Sequence, residues 1–111
     1  MTEMGTKVVS DTFVWVFNGD GKAISFPSGV FSKREVAEEW ILRRRLSGVL
    51  TGYPVDVGIY DWAEERGFLS DWIEAGGKSA EKVREGGPDL VGRFSTAHQP
   101  HFHFIEGVRQ A

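Results

Sequence analysis

Two histidines near the C-terminal end, His101 and His103, are two residues apart, and a third, His98, lies just upstream. On a β-strand, residues two apart face the same side. Imidazoles so placed can share a metal ion, and a carboxylate such as Asp56 could complete the set. The alternating residues, Phe102 and Phe104, bury far more apolar area than the histidines and Ile105 beside them. The phenylalanine face is therefore expected to be the core face, with the imidazoles on the polar one. Two ligands on one strand, without a third at diagnostic spacing, do not define a metal centre. No metal or cofactor is assigned. Tyr53, Asp56, His101 and His103 stand as the candidate residues of a small-ligand site.

A second constellation is Tyr53-Pro54-Val55-Asp56 followed by Tyr60-Asp61-Trp62. Paired carboxylates can exchange protons with a substrate when burial raises the pKa of one. The simpler reading makes Asp56 a helix cap, places Asp61 in the first turn, and packs Tyr60 and Trp62. Arg43-Arg44-Arg45 could grip a phosphate, but successive helical residues point about 100° apart, so one face cannot present all three. Asn18-Gly19-Asp20-Gly21 lacks the lysine and hydroxyl residue of a phosphate loop. No Gly-x-Ser-x-Gly or His-Glu-x-x-His order occurs. The chain has no cysteine, which excludes disulfides, thiolate nucleophiles and cysteine-bound metal centres. No catalytic residue is assigned, and the weight falls against an enzyme.

These side chains must be positioned by a small set of elements. Thr12 to Phe17 alternates apolar residues on both faces and reads as a central strand. The Asn-Gly-Asp-Gly turn and a strand over Ala23 to Phe31 complete a hairpin, with Pro27 marking a bulge or an edge. Ser32 and Glu35 have capping-box spacing at the start of a helix whose apolar stripe is Val36, Ala37, Trp40 and Ile41. Arg43, Arg44 and Arg45 fall in its last turn and Ser47-Gly48 ends it. Val49 to Tyr53 reads as a third strand closed by Pro54. Asp56 is read as the cap of a second helix that runs to Arg66, with Gly67 as its left-handed terminator. Pro88 opens a short third helix through Phe94, and His101 to Ile105 is the last strand. The sum is an α+β fold: a small antiparallel sheet of about four strands with two or three helices packed on one face. Trp15, Phe17, Phe31, Val36, Trp40, Val49, Phe94 and Phe104 are its expected core.

The 111 residues fit one domain. Residues 1–11 read as a flexible N-terminus and residues 70–87, with four glycines, as a mobile excursion. The first residues lack the apolar stretch of a signal peptide, and no apolar run reaches membrane-spanning length. A cytoplasmic location is expected, with no membrane association. Thirteen basic residues against sixteen acidic ones give a net charge of −3, which argues against a nucleic-acid partner. The charge is uneven. Residues 32–46 hold five basic and three acidic side chains, whereas residues 56–89 hold four basic and nine acidic.

Three stretches together resemble a family of small, uncharacterised bacterial domains. They are Ser28-Gly29-Val30-Phe31 after an aromatic strand, Leu46-Ser47-Gly48-Val49-Leu50-Thr51-Gly52-Tyr53-Pro54-Val55-Asp56 leading to Tyr60-Asp61-Trp62-Ala63, and a Phe94-to-His103 tail. The resemblance implies a shared fold and a bacterial origin. It brings no established activity and no catalytic residues.

Size, acidic balance and aromatic content suit a non-catalytic protein-binding module. One role that fits is an immunity-type inhibitor that plugs a basic toxin domain. Its expected contact patch is Asp56, Asp61, Trp62, Glu64, Glu65, Asp71, Trp72 and Glu74: acidic residues to speed encounter, tryptophans to anchor it. The alternative is a small-ligand or metal-binding protein, even a modest enzyme, with its site near the C-terminal histidines.

Overall fold

A computed structural model describes residues 12–21, 26–69 and 86–111. Residues 1–11, 22–25 and 70–85 lie outside it, and so do the expectations of a flexible N-terminus and, for all but Gly86 and Gly87, of a mobile excursion. The fold is α+β, with five strands in the order β2-β1-β3-β4-β5. The elements are β1 (Phe13–Gly19), β2 (Pro27–Phe31), α1 (Arg34–Arg44), β3 (Gly48–Pro54), α2 (Ile59–Arg66), α3 (Pro88–Val91), β4 (His101–Ile105) and β5 (Val108–Arg109). Chain contacts divide them into two compact units. One comprises residues 12–53 and 99–111, and the other includes residues 54–98.

The first unit holds the sheet and α1. β1 pairs antiparallel with β2, with Trp15 opposite Phe31 and Val16 opposite Val30. The register shifts at Phe17/Asn18, where Pro27 is the partner of Asn18; proline has no N–H for the ladder, so an edge strand tolerates it. β3 pairs antiparallel with β4, placing Leu50 opposite Phe102 and Thr51 opposite His101. One face gathers Phe17, Leu50 and Phe104 beneath Ala37 and Ile41 of α1. Trp15, Phe31, Trp40, Leu46 and Phe102 pack around them. Gly52 matters here because a β-carbon on it would meet the Trp15 ring at 3.1 Å and Pro100 at 3.0 Å. Its bare backbone leaves room on the core face for the large rings of the flanking strands.

α1 departs from expectation at both ends. Its N-cap is Lys33, with no side-chain cap hydrogen bond. Ser32 therefore stands one residue too early, and the Ser32–Glu35 capping box does not form. The inward stripe runs Arg34, Ala37, Glu38, Ile41, at helical i, i+3, i+4, i+7 spacing. Val36 falls off that stripe and is 51% exposed, which corrects its place in the expected core. The helix ends with Arg45 in the left-handed conformation, φ 57. The N–H of Leu46 donates to the Ile41 carbonyl and that of Arg45 to the Leu42 carbonyl, a Schellman pair formed without glycine.

The fifth strand is the main addition. Glu106 and Gly107 both have positive φ, 48 and 90, as a two-residue hairpin turn of the primed kind requires. Ile105 then pairs with Val108, and Phe104 with Arg109.

In the second unit α2 begins after Gly58. Asp56 does not cap it. It occupies the preceding turn at φ 66, a conformation that aspartate tolerates better than most residues. Gly67 ends α2 at φ 80, and Phe68 N–H donates to the Ala63 carbonyl. Tyr60, Trp62, Ala63 and Phe94 are buried, with the Tyr60 and Phe94 rings edge to face at 5.4 Å. Of the other expected core residues, Phe17 and Phe104 are buried, and Trp15, Phe31, Trp40 and Val49 half-buried.

Candidate functional site

α2 carries three acidic residues and one basic one in the sequence Ile-Tyr-Asp-Trp-Ala-Glu-Glu-Arg. Asp61, Glu64 and Glu65 are exposed, as is Asp56 in the turn before the helix. Asp61 lies in the first turn, where the helix dipole favours a negative charge. The carboxylates act on their neighbour: the Tyr60 phenol is pushed above its ordinary value, first by burial and then by Glu64 and Asp61. Both effects disfavour a phenolate in this place.

Trp62 does not join that surface. It is 5% exposed, its ring tilted against Phe68 at 5.5 Å and covered by the Arg66 guanidinium at 5.6 Å. The expectation that Trp62 anchors a partner is therefore corrected: the indole is used inside its own unit. The acidic periodicity of α2 is legible in the sequence, but the inward turn of Trp62 depends on Phe68 folding back past Gly67. Asp71, Trp72 and Glu74 lie outside the described residues. So does Ser79-Ala80-Glu81-Lys82, which has the Ser-x-x-Lys order of a serine nucleophile and its lysine.

The histidines sit on the sheet unit, on the face opposite the core. His101 and His103 are both exposed, edge to face with ring centroids 5.6 Å apart. His101 Nδ1–H donates to the Gln99 carbonyl at 2.8 Å, which leaves Nε2 as an acceptor. Gln99 is itself buried, and its side-chain amide donates to the Gly52 carbonyl at 3.2 Å. Tyr53 continues the same face of β3 beyond Thr51, the partner of His101. Asp56 belongs to the other compact unit. Among the described residues no three histidine, aspartate or glutamate side chains gather as a metal set. His98, in the second unit, stacks flat on Phe68 at 3.9 Å and 8°.

A third cluster escapes sequence reasoning. At the start of α1 an open cleft of about 450 Å³ is lined by Trp15, Ser32, Lys33, Arg34 and Glu35. The Arg34 guanidinium lies 5.9 Å from the Trp15 ring centroid and 4.9 Å from that of Phe102. Arg109, brought alongside β4 by β5, lies 5.0 Å from the same Phe102 ring. Arg34 Nε faces Glu38 Oε2 at 3.3 Å. The one sequence signal for this cluster is Glu106-Gly107 between Ile105 and Val108, a hairpin turn that aligns Arg109 with the aromatic strand.

Among the described residues no helix is long and apolar enough to cross a membrane. No curated protein and no solved structure matches the chain. A family model does match, over residues 14–110. It spans both compact units, and the chain accordingly belongs to the family described as domain of unknown function DUF7710.

Proposed function

We propose that the protein is a non-catalytic binding module whose α2 surface engages a basic protein domain. The observation that carries this reading is the exposed run Asp56, Asp61, Glu64 and Glu65, whose field reaches Tyr60. Acidic side chains held on a rigid helix raise the encounter rate with a basic partner and penalise acidic ones. An immunity-type inhibitor of a bacterial toxin in the cytoplasm is the role that fits this character. Because Trp62 is committed to its own unit, the anchoring contacts fall to other residues.

The test is affinity capture from cells that express the full chain, beside the Asp61→Lys/Glu64→Lys variant. A basic partner domain retained by the wild type and lost by the variant is the expected result. A partner retained equally by both, or one that is acidic, would overturn the reading. The second reading, a small-ligand or metal site at His101 and His103, draws on the free Nε2 of His101 and is tested by the zinc titration below.

A further inference from the structure

We propose that the cleft at the start of α1 is a binding site for a small phosphate-bearing anion, held by Arg34 and Arg109 across the ring of Phe102. This goes beyond the α2 reading and does not depend on it. Three observations carry it.

The first is pre-organisation. Both guanidiniums lie within 5.0 Å of the Phe102 centroid, and Arg34 also packs near Trp15. A cation over an aromatic ring is held by the ring's negative face while its planar edge stays available to acceptors. Less rotamer freedom is then lost when an anion binds.

The second is unspent donor capacity. Arg34 Nε stands 3.3 Å from Glu38 Oε2 without forming a hydrogen bond, and its terminal nitrogens meet no acceptor among the described residues. The Arg109 side chain is exposed and makes neither a hydrogen bond nor an ion pair among the described residues. Guanidinium forks match the geometry of phosphate oxygens, which favours a phosphate over a monovalent halide.

The third is space and charge. The cleft is open to solvent, about 450 Å³ in volume, which gives room for a small anion that keeps one side in water. Lys33 lines it with Arg34. The acidic groups nearby are Glu35, which also lines it, and Glu38, which is half-buried behind Arg34. Arg109 does not line the cleft itself but shares the Phe102 ring with Arg34, so three cations, Lys33, Arg34 and Arg109, meet two carboxylates around the Arg34 guanidinium.

The site is tested by titrating the isotope-labelled full chain with inorganic phosphate and with pyrophosphate, following the Trp15 indole and the Arg34 and Arg109 Nε–H signals. Saturable shifts confined to these groups and Lys33, with pyrophosphate binding more tightly than phosphate, are expected. Arg109→Gln lies at an exposed strand edge and should weaken pyrophosphate at least tenfold, with only the small fall in melting temperature that loss of one exposed cation–aromatic contact brings. Arg34→Lys, which keeps the charge but loses the fork, should weaken it as well. No saturable shift at Trp15, Arg34 and Arg109, or equal binding by wild type and Arg109→Gln, would overturn the proposal.

Discussion

α1 and α2 are built alike and charged differently. Each starts without a side-chain cap and ends in a left-handed residue with Schellman hydrogen bonds. α1 carries three acidic and three basic residues in Arg-Glu-Val-Ala-Glu-Glu-Trp-Ile-Leu-Arg-Arg. It spends them on itself: Arg34 pairs with Glu38, and Arg43 with Glu39, both at i,i+4. α2 has three acidic residues and one basic one, and its Asp61 and Glu64 have no basic partner among the described residues. A helix that neutralises its own carboxylates contributes to stability and solubility. A helix that leaves them open keeps a field that a partner can read. Under the function proposed above, this difference leaves α1 to the sheet and gives recognition to α2.

The sharpest way to break this division is through the α1 core. Ile41 is fully buried beneath the sheet face. Ile41→Ala should cost about 2–5 kcal/mol, the transfer term plus the cavity left behind, as measured by urea denaturation. A cost below 1 kcal/mol would mean that α1 is not what holds the sheet face closed.

The two helix ends give the next largest effects. Gly67→Ala forces a β-carbon into the left-handed region at φ 80 and should destabilise by about 1–2 kcal/mol. Arg45 already bears that cost at φ 57, so Arg45→Gly should stabilise, by about 0.5–1 kcal/mol once the added unfolded-state freedom of glycine is subtracted. Opposite signs at two ends of the same geometry are the expected result in thermal denaturation. Equal signs would show that the left-handed conformation is not what sets the cost.

The histidines should matter little. His101→Ala/His103→Ala is expected to change stability by no more than about 0.5 kcal/mol per site, because both rings are exposed on the face opposite the core. Zinc titration of the wild type should give no stoichiometric complex and no rise in melting temperature. A one-to-one complex lost in the double variant would promote the ligand-binding reading over the protein-binding one.

The smallest effect is electrostatic. The Tyr60 phenol titrates above its ordinary 10.0 because of burial, then Glu64 and Asp61. A raised folded-state value favours the neutral phenol. Its contribution to stability is therefore complete below the unfolded value and is lost as pH rises through the folded one. Asp61→Asn/Glu64→Gln should move the phenol's titration down toward the ordinary value without reaching it, since burial is the larger cause. Ultraviolet titration of the phenolate measures this. An unchanged midpoint would mean that the field of α2 does not extend to its own core.

Most of the sheet was legible because strand alternation declares itself. Phe102 with Phe104 announce their face, the unbroken apolar run Phe13 to Phe17 announces a strand with neighbours on both sides, and Pro27 announces an edge. The second strand of the last hairpin was missed because Val108–Arg109 is too short to show a period, although Glu106-Gly107 marks its turn. Helix ends were harder. Ser32 and Asp56 have the chemistry of caps, but the helices begin two and three residues further on, at Arg34 and Ile59, where the chain's packing sets them. The acidic run of α2 could be read from composition. The burial of Trp62 could not, because it follows from a tertiary contact with Phe68. The cation–aromatic cluster was invisible for the same reason: Trp15, Arg34, Phe102 and Arg109 come from four different elements.

The most direct test of the division between the helices reverses the same number of charges on each. Glu35→Lys/Glu39→Lys alters two exposed acids of α1, and Asp61→Lys/Glu64→Lys two of α2. The measurement is the fraction of partner retained by each immobilised variant relative to wild type at physiological ionic strength. Retention by the α1 variant with loss by the α2 variant, both folded by circular dichroism, is the predicted result. Equal retention, equal loss, or loss by the α1 variant alone would contradict the assignment of recognition to α2.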